Sequence, residues 1–251
     1  MMIGDSAYKA ELITDGLQFW FDGKNNLKGG GFSQSATTWY PYMKNSAIPD
    51  SYCLTKSGYG SWNSNGGFVA SSDYNGTSSN GLFTNRQYSP FYYLPNVTDF
   101  TFVICLGNLS GWKEINTDIV SGTYSAGSGS HRWTLQLGAE GNYRFGLYGD
   151  SGWRNYYAKI NTPTNTDIKT IIYVRKDSNI SVYINSSLDN IISATNSYLG
   201  KQEYVCFSLI SYAPGNVSIT APYYSCQMYN RALSEYEVVI AHNFIKNRYE
   251  L

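Results

Sequence analysis

The sequence predicts an all-β fold, a two-sheet antiparallel β-sandwich that ends in one C-terminal helix. Apolar and polar residues alternate with a period of two in many short segments, which is the pattern of strands with one buried face. Glycine, asparagine and serine punctuate these segments, and the chain of 251 residues holds 24 glycines. A helical repeat of apolar residues occurs only near the end of the chain, and β-sandwiches often reach this length as one domain.

The strands are predicted from this alternation in chain order. In residues 17–22 the odd-numbered positions are apolar, so a first strand with one apolar face is expected there. A Gly-, Ser- and Asn-rich region follows at 24–91, within which short strands are expected at 67–70 and 91–94. The stronger strand patterns lie downstream, at 100–105, 119–121, 132–137, 143–148, 171–174, 180–184, 205–210 and 223–229.

The C-terminal helix has a clear start signal. Ser234 is placed to cap the first turn, and Glu237 lies three residues on, where a capping box requires its acidic partner. Leu233 and Val238 flank this box at the spacing of a hydrophobic staple. The apolar stripe expected to lie on a sheet consists of Tyr236, Val239, Ile240 and Phe244.

Four segments resemble one superfamily of β-sandwiches. They are Thr-Asp-Gly and the strand after it (14–22), Asp-Phe-Thr-Phe-Val (99–103), the predicted hairpin (173–185) and Tyr-Asn-Arg-Ala-Leu-Ser (229–234). Together they are similar to laminin-G-like, concanavalin-A-like lectin domains, which are jelly rolls. Ser186 stands where that superfamily commonly has a turn glycine, and the acidic pair that often precedes the last motif is absent. The resemblance implies a jelly-roll domain over residues 12–251 that presents a glycan-binding surface more often than a catalytic one.

Metal binding is only weakly indicated, and no other cofactor is predicted. Calcium is the accessory ion that the resemblance implies, and Asp73 and Asp150 are its candidate loop ligands, although a polar turn explains each equally well. The four cysteines have no metal-binding spacing. Cys105 and Cys206 lie in apolar strand patterns and are expected to be buried thiols, while a disulfide bond stays an open alternative.

No catalytic constellation is recognisable, so a non-enzymatic protein is predicted. Glycosidases need two carboxylates on either side of the sugar bond, and the nearest approach to a pair is Glu114 with Asp118 in a loop-like stretch. Solvated surface charges explain this pair better. Of the two histidines, His131 lies at a strand start and His242 in the terminal helix, and structural or surface roles are expected for both.

Aromatic residues among polar neighbours are the remaining functional signal. A sugar stacks its C–H face on an exposed ring while neighbouring polar groups bind its hydroxyls. The leading candidate is the segment 149–157, which is predicted to be a loop joining two strands. Further aromatic clusters lie at 38–42, 61–63 and 110–113. The alternative is that each tryptophan folds back and closes an end of the sandwich. The predicted ligand-binding residues are Asp150, Trp153, Arg154, Asn155 and Tyr156, together with Trp62, Asn63 and Trp112.

The net charge and the N-terminal segment indicate which partners and location to expect. The net charge is +0 and only 14% of residues are charged, so a nucleic-acid partner is not expected. No signal peptide or membrane span is recognised at the N-terminus, where residues 1–11 are predicted to form an arm with one helical turn. A lectin-like domain without an export signal suggests a phage protein on the virion surface, and an extracellular protein whose signal was removed is the alternative.

The leading functional prediction is therefore a non-catalytic glycan-binding or adhesion domain of a phage fibre, tail tip or capsid decoration. Its expected partners are a cell-surface polysaccharide and further copies of itself, with a threefold fibre as the first guess. The arm at residues 1–11 would then contact a neighbour. A purely structural virion component and a glycosidase with an atypical carboxylate pair are the two alternatives.

Overall fold

A computed structural model describes most of the two sheets and the C-terminal helix. The described residues are 11–56, 60–70, 83–85, 90–94, 97–107, 117–123, 131–137, 143–149, 152–154, 170–193, 206–211 and 222–251. The backbone alone is described at 70, 84, 91–92, 117–123, 131–137, 143–149, 152–154 and 206–211.

The first sheet, sheet A, is antiparallel and contains both the first and the last of the described strands. Its order is β15-β14-β13-β8-β17-β1-β3, and β6 pairs with β17 and with β5. The last strand, β17, pairs with β8 from the middle of the chain. The strands of sheet A are β1 (Leu17–Asp22), β3 (Met43–Lys44), β5 (Gly60–Trp62), β6 (Phe68–Ala70), β8 (Phe100–Leu106), β13 (Thr170–Lys176), β14 (Asn179–Ile184), β15 (Ser187–Ser193) and β17 (Tyr223–Tyr229).

The second sheet, sheet B, is also antiparallel and has the order β12-β11-β10-β9-β16-β7-β4-β2. Its strands are β2 (Thr38–Trp39), β4 (Leu54–Lys56), β7 (Phe83–Asn85), β9 (Thr117–Thr123), β10 (His131–Leu137), β11 (Tyr143–Gly149), β12 (Gly152–Arg154) and β16 (Cys206–Ser211). The chain is thus a two-sheet antiparallel β-sandwich, and the predicted fold class is confirmed.

The core between the sheets is built from aromatic rings. Phe21 and Tyr223 of sheet A meet Trp39 of sheet B with ring centroids 5.8 Å and 6.1 Å apart. Phe83 of sheet B lies 4.8 Å from Phe68 of sheet A by the same measure. All these pairs are edge-on, which is a preferred geometry for aromatic rings. The predicted alternation is confirmed for Phe19 and Phe21, which lie in this core, whereas Leu17 lies beyond a register shift and packs against the cluster on the helix side.

The helix α1 (Glu235–Tyr249) packs on the outer face of sheet A, and in the described residues it is the one α-helix. The capping box is confirmed, since Ser234 and Glu237 exchange both hydrogen bonds. The predicted apolar stripe is wrong in part: Phe244 packs against the sheet as expected, but Tyr236 and Val239 are exposed. The buried face instead consists of Val238, Ala241, Ile245 and Tyr249. The stripe was misplaced by about one residue because Ala241 and Tyr249 carry weaker apolar signals than the exposed valine.

Two segments differ from the prediction. Residues 91–94 were expected as a strand, but Pro90–Tyr93 forms a 3-10 helix, since proline fixes φ and provides no amide donor for a ladder. The strand β15 was not predicted. It follows a tight turn at Asn185 and Ser186, whose φ angles are 48° and 69°, a left-handed pair typical of a two-residue hairpin. Serine rather than glycine at this turn concealed the hairpin.

The remaining structural predictions concern cysteines and chain ends. Cys105 is buried as expected, whereas only the backbone of Cys206 is described. Cys53 and Cys226 are free thiols. Residues 1–10 of the predicted arm lie outside the described residues, and the domain boundary at residue 12 stays a prediction. The described chain contains no helix with the length and hydropathy needed to span a bilayer.

Candidate functional site

The leading candidate site lies at one edge of sheet B. Gly152–Arg154 was expected to be a loop, but it forms β12, the outermost strand, which pairs with β11. Trp153 is opposite Tyr148 in the register, so the two aromatic residues share one face of the sheet. Arg154 is the next residue along the strand and therefore belongs to the other face. Trp153 and Arg154 thus cannot both serve a ligand lying on one face of this sheet.

Several other predicted site residues cannot be placed. Asp150, Asn155, Tyr156 and Trp112 lie outside the described residues. The same holds for Asp73, the second candidate calcium ligand.

Trp62 is not an exposed sugar platform, so this part of the predicted site is wrong. Its side chain is 4% exposed, and its ring centroid lies 4.9 Å from that of Trp39 in the core. Its indole nitrogen donates to the carbonyl of Ala36 at 3.0 Å, which satisfies the one polar atom of the ring. The alternative interpretation, in which a tryptophan folds back and closes the sandwich, is correct for Trp62.

Asn63 also has a local structural role. Its side-chain oxygen accepts from the backbone N–H of Asn65 at 3.0 Å and of Gly67 at 2.8 Å. Gly66 in the same turn has a φ of 80°, which fits the turn predicted there. These bonds occupy the acceptor that a sugar hydroxyl would need.

The aromatic cluster at residues 38–42 contains one buried ring and one half-exposed ring. Trp39 is fully buried, and its indole nitrogen donates to the carbonyl of Asp22 at 3.2 Å. Tyr42 is 48% exposed, with its ring edge-on to the buried Trp20. Of the tryptophans whose side chains are described, each is buried, so Trp153 carries the aromatic hypothesis.

A buried polar network that sequence analysis missed joins β1 to the end of the helix. The carboxylate of Asp22 is inaccessible to solvent. It accepts from the Tyr249 hydroxyl at 2.6 Å and from the Arg248 guanidinium at 2.7 Å. The Lys24 amide and the Asn25 side chain donate to the same carboxylate. Because every oxygen is already engaged and water is excluded, this carboxylate holds the helix in place and is not a candidate base.

A second network explains the motifs behind the superfamily resemblance. Arg231 binds both carboxylate oxygens of Glu237, at 2.6 Å and 3.0 Å, and forms an ion pair with Asp15 at 2.9 Å. Gly16 has a φ of 77°, and a Cβ there would lie 2.9 Å from the Arg231 side chain. The guanidinium of Arg231 lowers the pKa of Glu237 to about 2. The Asp-Gly and Asn-Arg-Ala-Leu-Ser motifs therefore meet in one structural clasp.

Of the candidate catalytic and metal residues, only His242 has a described side chain. In the ranges that the structure describes, no group of three His, Cys, Asp or Glu residues could hold a metal ion. The ring of His242 shares a hydrogen bond of 2.8 Å with the Thr170 hydroxyl, and burial lowers its pKa. Asp118 and His131 lie on β9 and β10, where the backbone alone is described, and Glu114 lies outside the described ranges.

Comparison with known proteins reveals similarity of fold without similarity of sequence. No protein family and no curated protein matches the chain. A Trypanosoma rangeli sialidase superposes with a TM-score of 0.57 at 12% identity, over 92% of this chain and 33% of the sialidase. The binding domain of botulinum neurotoxin serotype D/C superposes with a TM-score of 0.59 at 13% identity, over 92% of this chain and 52% of the neighbour.

A structure of botulinum neurotoxin type C, whose cell entry depends upon interaction with two ganglioside molecules, gives the same TM-score of 0.59 at 13% identity. The chain thus spans between 33% and 52% of the length of these neighbours. At such low identity the likeness concerns the fold alone. The shared architecture is a two-sheet antiparallel β-sandwich.

Proposed function

We propose that this chain is a carbohydrate-binding domain that attaches to a cell-surface glycan without cleaving it. The observation that carries the proposal is the pairing of Trp153 with Tyr148 at the edge of sheet B. Two aromatic residues side by side on one face provide the flat apolar area on which a pyranose ring stacks. On the outer face of sheet A, by contrast, α1 packs against the central strands β8, β13 and β17.

The structural neighbours give this proposal its direction. Botulinum neurotoxin type C depends on two ganglioside molecules for its entry into cells, and another neighbour is a sialidase in complex with sialic acid. Both proteins contain this fold and interact with a sugar or a sugar-bearing lipid. They support a glycan as the ligand class for this chain, while the identity of the sugar has to come from binding experiments.

We further propose that the domain works without catalysis. A glycosidase needs two carboxylates with distinct environments beside the bound sugar, and the sequence contains no recognisable pattern for such a pair. Incubation with a panel of bacterial polysaccharides should release no reducing ends. Release that disappears in Glu114→Gln or Asp118→Asn would establish a glycosidase instead.

The proposed setting is the surface of a phage virion, in a fibre, tail tip or capsid decoration assembled from several copies. The β-sandwich fold and the glycan ligand proposed above support this setting. A threefold assembly predicts a sedimentation mass of three chains at all accessible concentrations. A monomer at high concentration would argue against the virion setting and would leave the glycan proposal standing.

The central experiment removes the ring of Trp153. A glycan array probed with the parent protein identifies the bound sugar, and Trp153→Ala should abolish that signal. The matched control is Tyr42→Ala, which removes an exposed ring just before β3, next to sheet A, and should leave binding unchanged. The thermal midpoint of both variants should stay close to that of the parent, as expected for rings outside the core. A large fall in the Trp153→Ala midpoint would show that this ring is part of the core and would contradict the proposed site.

A further inference from the structure

A continuous row of hydroxyl residues crosses sheet B. Each member lies directly opposite the next in the antiparallel register, so the row runs perpendicular to the strands. The Gly146 position of β11 continues the row beyond its last hydroxyl. In spatial order the hydroxyl row consists of Thr38, Thr55, Thr84, Ser208, Ser121 and Thr134, on β2, β4, β7, β16, β9 and β10.

The row belongs to the face of sheet B that points away from the core. Trp39, Leu54 and Phe83 each adjoin a row member in their own strand, and all three are fully buried between the sheets. Neighbouring positions of a strand belong to opposite faces, so the row lies on the outer face. The described side chains agree with this, because Thr55 is exposed and Thr38 is half-buried.

The row leads towards the candidate aromatic site. Gly146 is two residues from Tyr148 on β11, and positions two apart in a strand share a face. Tyr148 lies opposite Trp153, so the hydroxyl row and the aromatic pair belong to the same outer face. Because Gly146 has no side chain, a ligand could approach the backbone closely at this position.

The chemistry of the row favours a neutral ligand with many hydroxyl groups. Each Ser or Thr hydroxyl both donates and accepts, as sugar hydroxyls do, and no row member carries a charge. Threonine is stiff at χ1, so little side-chain entropy is lost when a ligand binds. The six row positions themselves include no arginine or lysine, which an anionic chain would need as partners. Arg132 and Arg144 lie two residues from Thr134 and Gly146 and so belong to the same face, and the anionic probe below tests whether they recruit a charged chain.

The length of the row sets the size of the ligand. Neighbouring strands are about 4.8 Å apart, so six hydroxyl positions span roughly 24 Å. That distance exceeds one sugar ring several times over. A linear chain of sugars laid across the strands could contact the row along its length and end on the aromatic pair.

We propose that the hydroxyl row is an extended binding surface for a neutral linear polysaccharide, with Tyr148 and Trp153 as its aromatic end. This inference rests on the proposed function and adds the ligand class, its charge and its minimum length. The competing explanation is that the row stabilises the sheet, because threonine favours strands and cross-strand Thr pairs interact. Valine keeps the strand preference and removes only the hydroxyl, so it separates the two explanations.

The experiment is native affinity electrophoresis in gels that contain hydroxyethylcellulose, glucomannan, dextran or, as the anionic probe, alginate. The parent protein should be retarded by at least one neutral polymer and not by alginate. The variant Thr55→Val/Thr84→Val/Ser121→Ala should bind that polymer at least about tenfold more weakly, since it lacks three hydrogen-bonding groups. The matched control is Thr98→Val, which removes an exposed hydroxyl outside the row and should bind as the parent does. Affinity should also rise from the disaccharide to the hexasaccharide of the retarding polymer.

Each result decides between the row and the broader proposal. If Trp153→Ala abolishes retardation while the row variant behaves as the parent, the row inference is wrong and the proposed function stands. Retardation by alginate alone, weakened by salt, would overturn the neutral ligand. If no polymer retards the protein and the glycan array stays empty, both proposals fail. Should the row variant melt early, the single change Thr55→Val at an exposed position decides the question.

Discussion

The two faces of sheet A are both buried, but different interactions cover them. The inner face meets sheet B through aromatic rings, with Trp39 in edge-on contact with Phe21 and Tyr223. The outer face meets α1 and includes the buried carboxylate of Asp22 and the hydrogen bond from the Trp20 indole to Ser225 at 2.8 Å. One face of the same sheet is therefore held by packing, and the other by packing combined with directed polar contacts.

The difference teaches what each face specifies. Ring packing is favourable over a range of positions, because the hydrophobic effect has no direction. A helix on a sheet could slide or rotate under packing alone. The bonds from Arg248 and Tyr249 to Asp22 fix one position, since a displacement of the helix would take from a buried carboxylate two of its four hydrogen-bond donors, including its counter-charge. We expect the inner face to decide whether the sandwich forms, and the outer face to decide where the helix lies.

The largest effect should come from the centre of the inner face. Trp39→Ala removes a fully buried ring that contacts both sheets, and we expect a loss of about 3–5 kcal/mol in the free energy of unfolding. Urea denaturation followed by circular dichroism measures it. The control Trp39→Phe keeps an aromatic ring and loses only the bond to the Asp22 carbonyl and some volume, so it should cost clearly less. Equal losses for the two variants would mean that the ring does not join the sheets.

The next effect tests the outer face. Asp22→Ala leaves the Tyr249 hydroxyl without its acceptor and Arg248 without its counter-charge, and should cost about 3 kcal/mol. Hydrogen exchange measured by mass spectrometry should show that, relative to the parent protein, the variant exchanges faster in residues 235–249, while exchange in β8 and β13 changes much less. Tyr249→Phe removes the hydroxyl that contacts Asp22, Tyr224 and Gly23 but keeps the ion pair of Arg248 with Asp22, and it should have the same pattern with a smaller loss. Uniformly faster exchange in both helix and sheet would contradict a role confined to helix position.

The Arg231 clasp gives a smaller effect with a distinctive pH dependence. The folded-state pKa of Glu237 is lowered from 4.5 to about 2 by Arg231. Its contribution to stability is therefore present above the ordinary value and is lost as the pH falls from 4.5 towards 2. Arg231→Ala should cost about 1 kcal/mol near neutral pH, because the pair is partly screened by solvent.

Unfolding free energies of the parent and of Arg231→Ala, measured across that acidic range, test the clasp. The difference between the two proteins should shrink as the pH falls. The control Lys44→Ala removes a surface cation paired with the exposed Asp50 and should leave the acid sensitivity almost unchanged. A difference that persists at the lowest pH would show that Arg231 acts through packing on Gly16 rather than through Glu237.

Sequence reasoning succeeded where the cause is local. The capping box needs two residues three apart, and the strand alternation at 17–22 needs six, so both are visible in a short window. It failed where partners are distant. Asp22 looked like a polar strand residue, because Tyr249, which buries it, follows 227 residues later. Trp62 looked exposed among Ser and Asn, since its ring partners come from three other strands.

The candidate site shows the same division. Aromatic residues near 153 were recognisable as a binding signal, because the local composition combines a large ring with polar residues. The hydroxyl row was not visible, since neighbouring row members are between 13 and 124 positions apart in the chain and meet only through strand register. Register is set by long-range pairing and turn geometry, which no short window contains.

The smallest expected change in stability comes from the turn between β14 and β15, at the edge of sheet A. Ser186 closes the turn between β14 and β15 with a φ of 69°, where a side chain is strained and glycine is not. Ser186→Gly should therefore raise the free energy of unfolding by about 0.5–1 kcal/mol. The matched control is Ser181→Gly in the middle of β14, where extended backbone gives glycine no advantage and the change should destabilise. Because the turn lies at the edge of sheet A, Ser186→Gly should leave the ratio of hydrogen-exchange rates between the helix and the sheet unchanged. A change in exchange confined to the helix would mean that this edge is energetically coupled to the outer face.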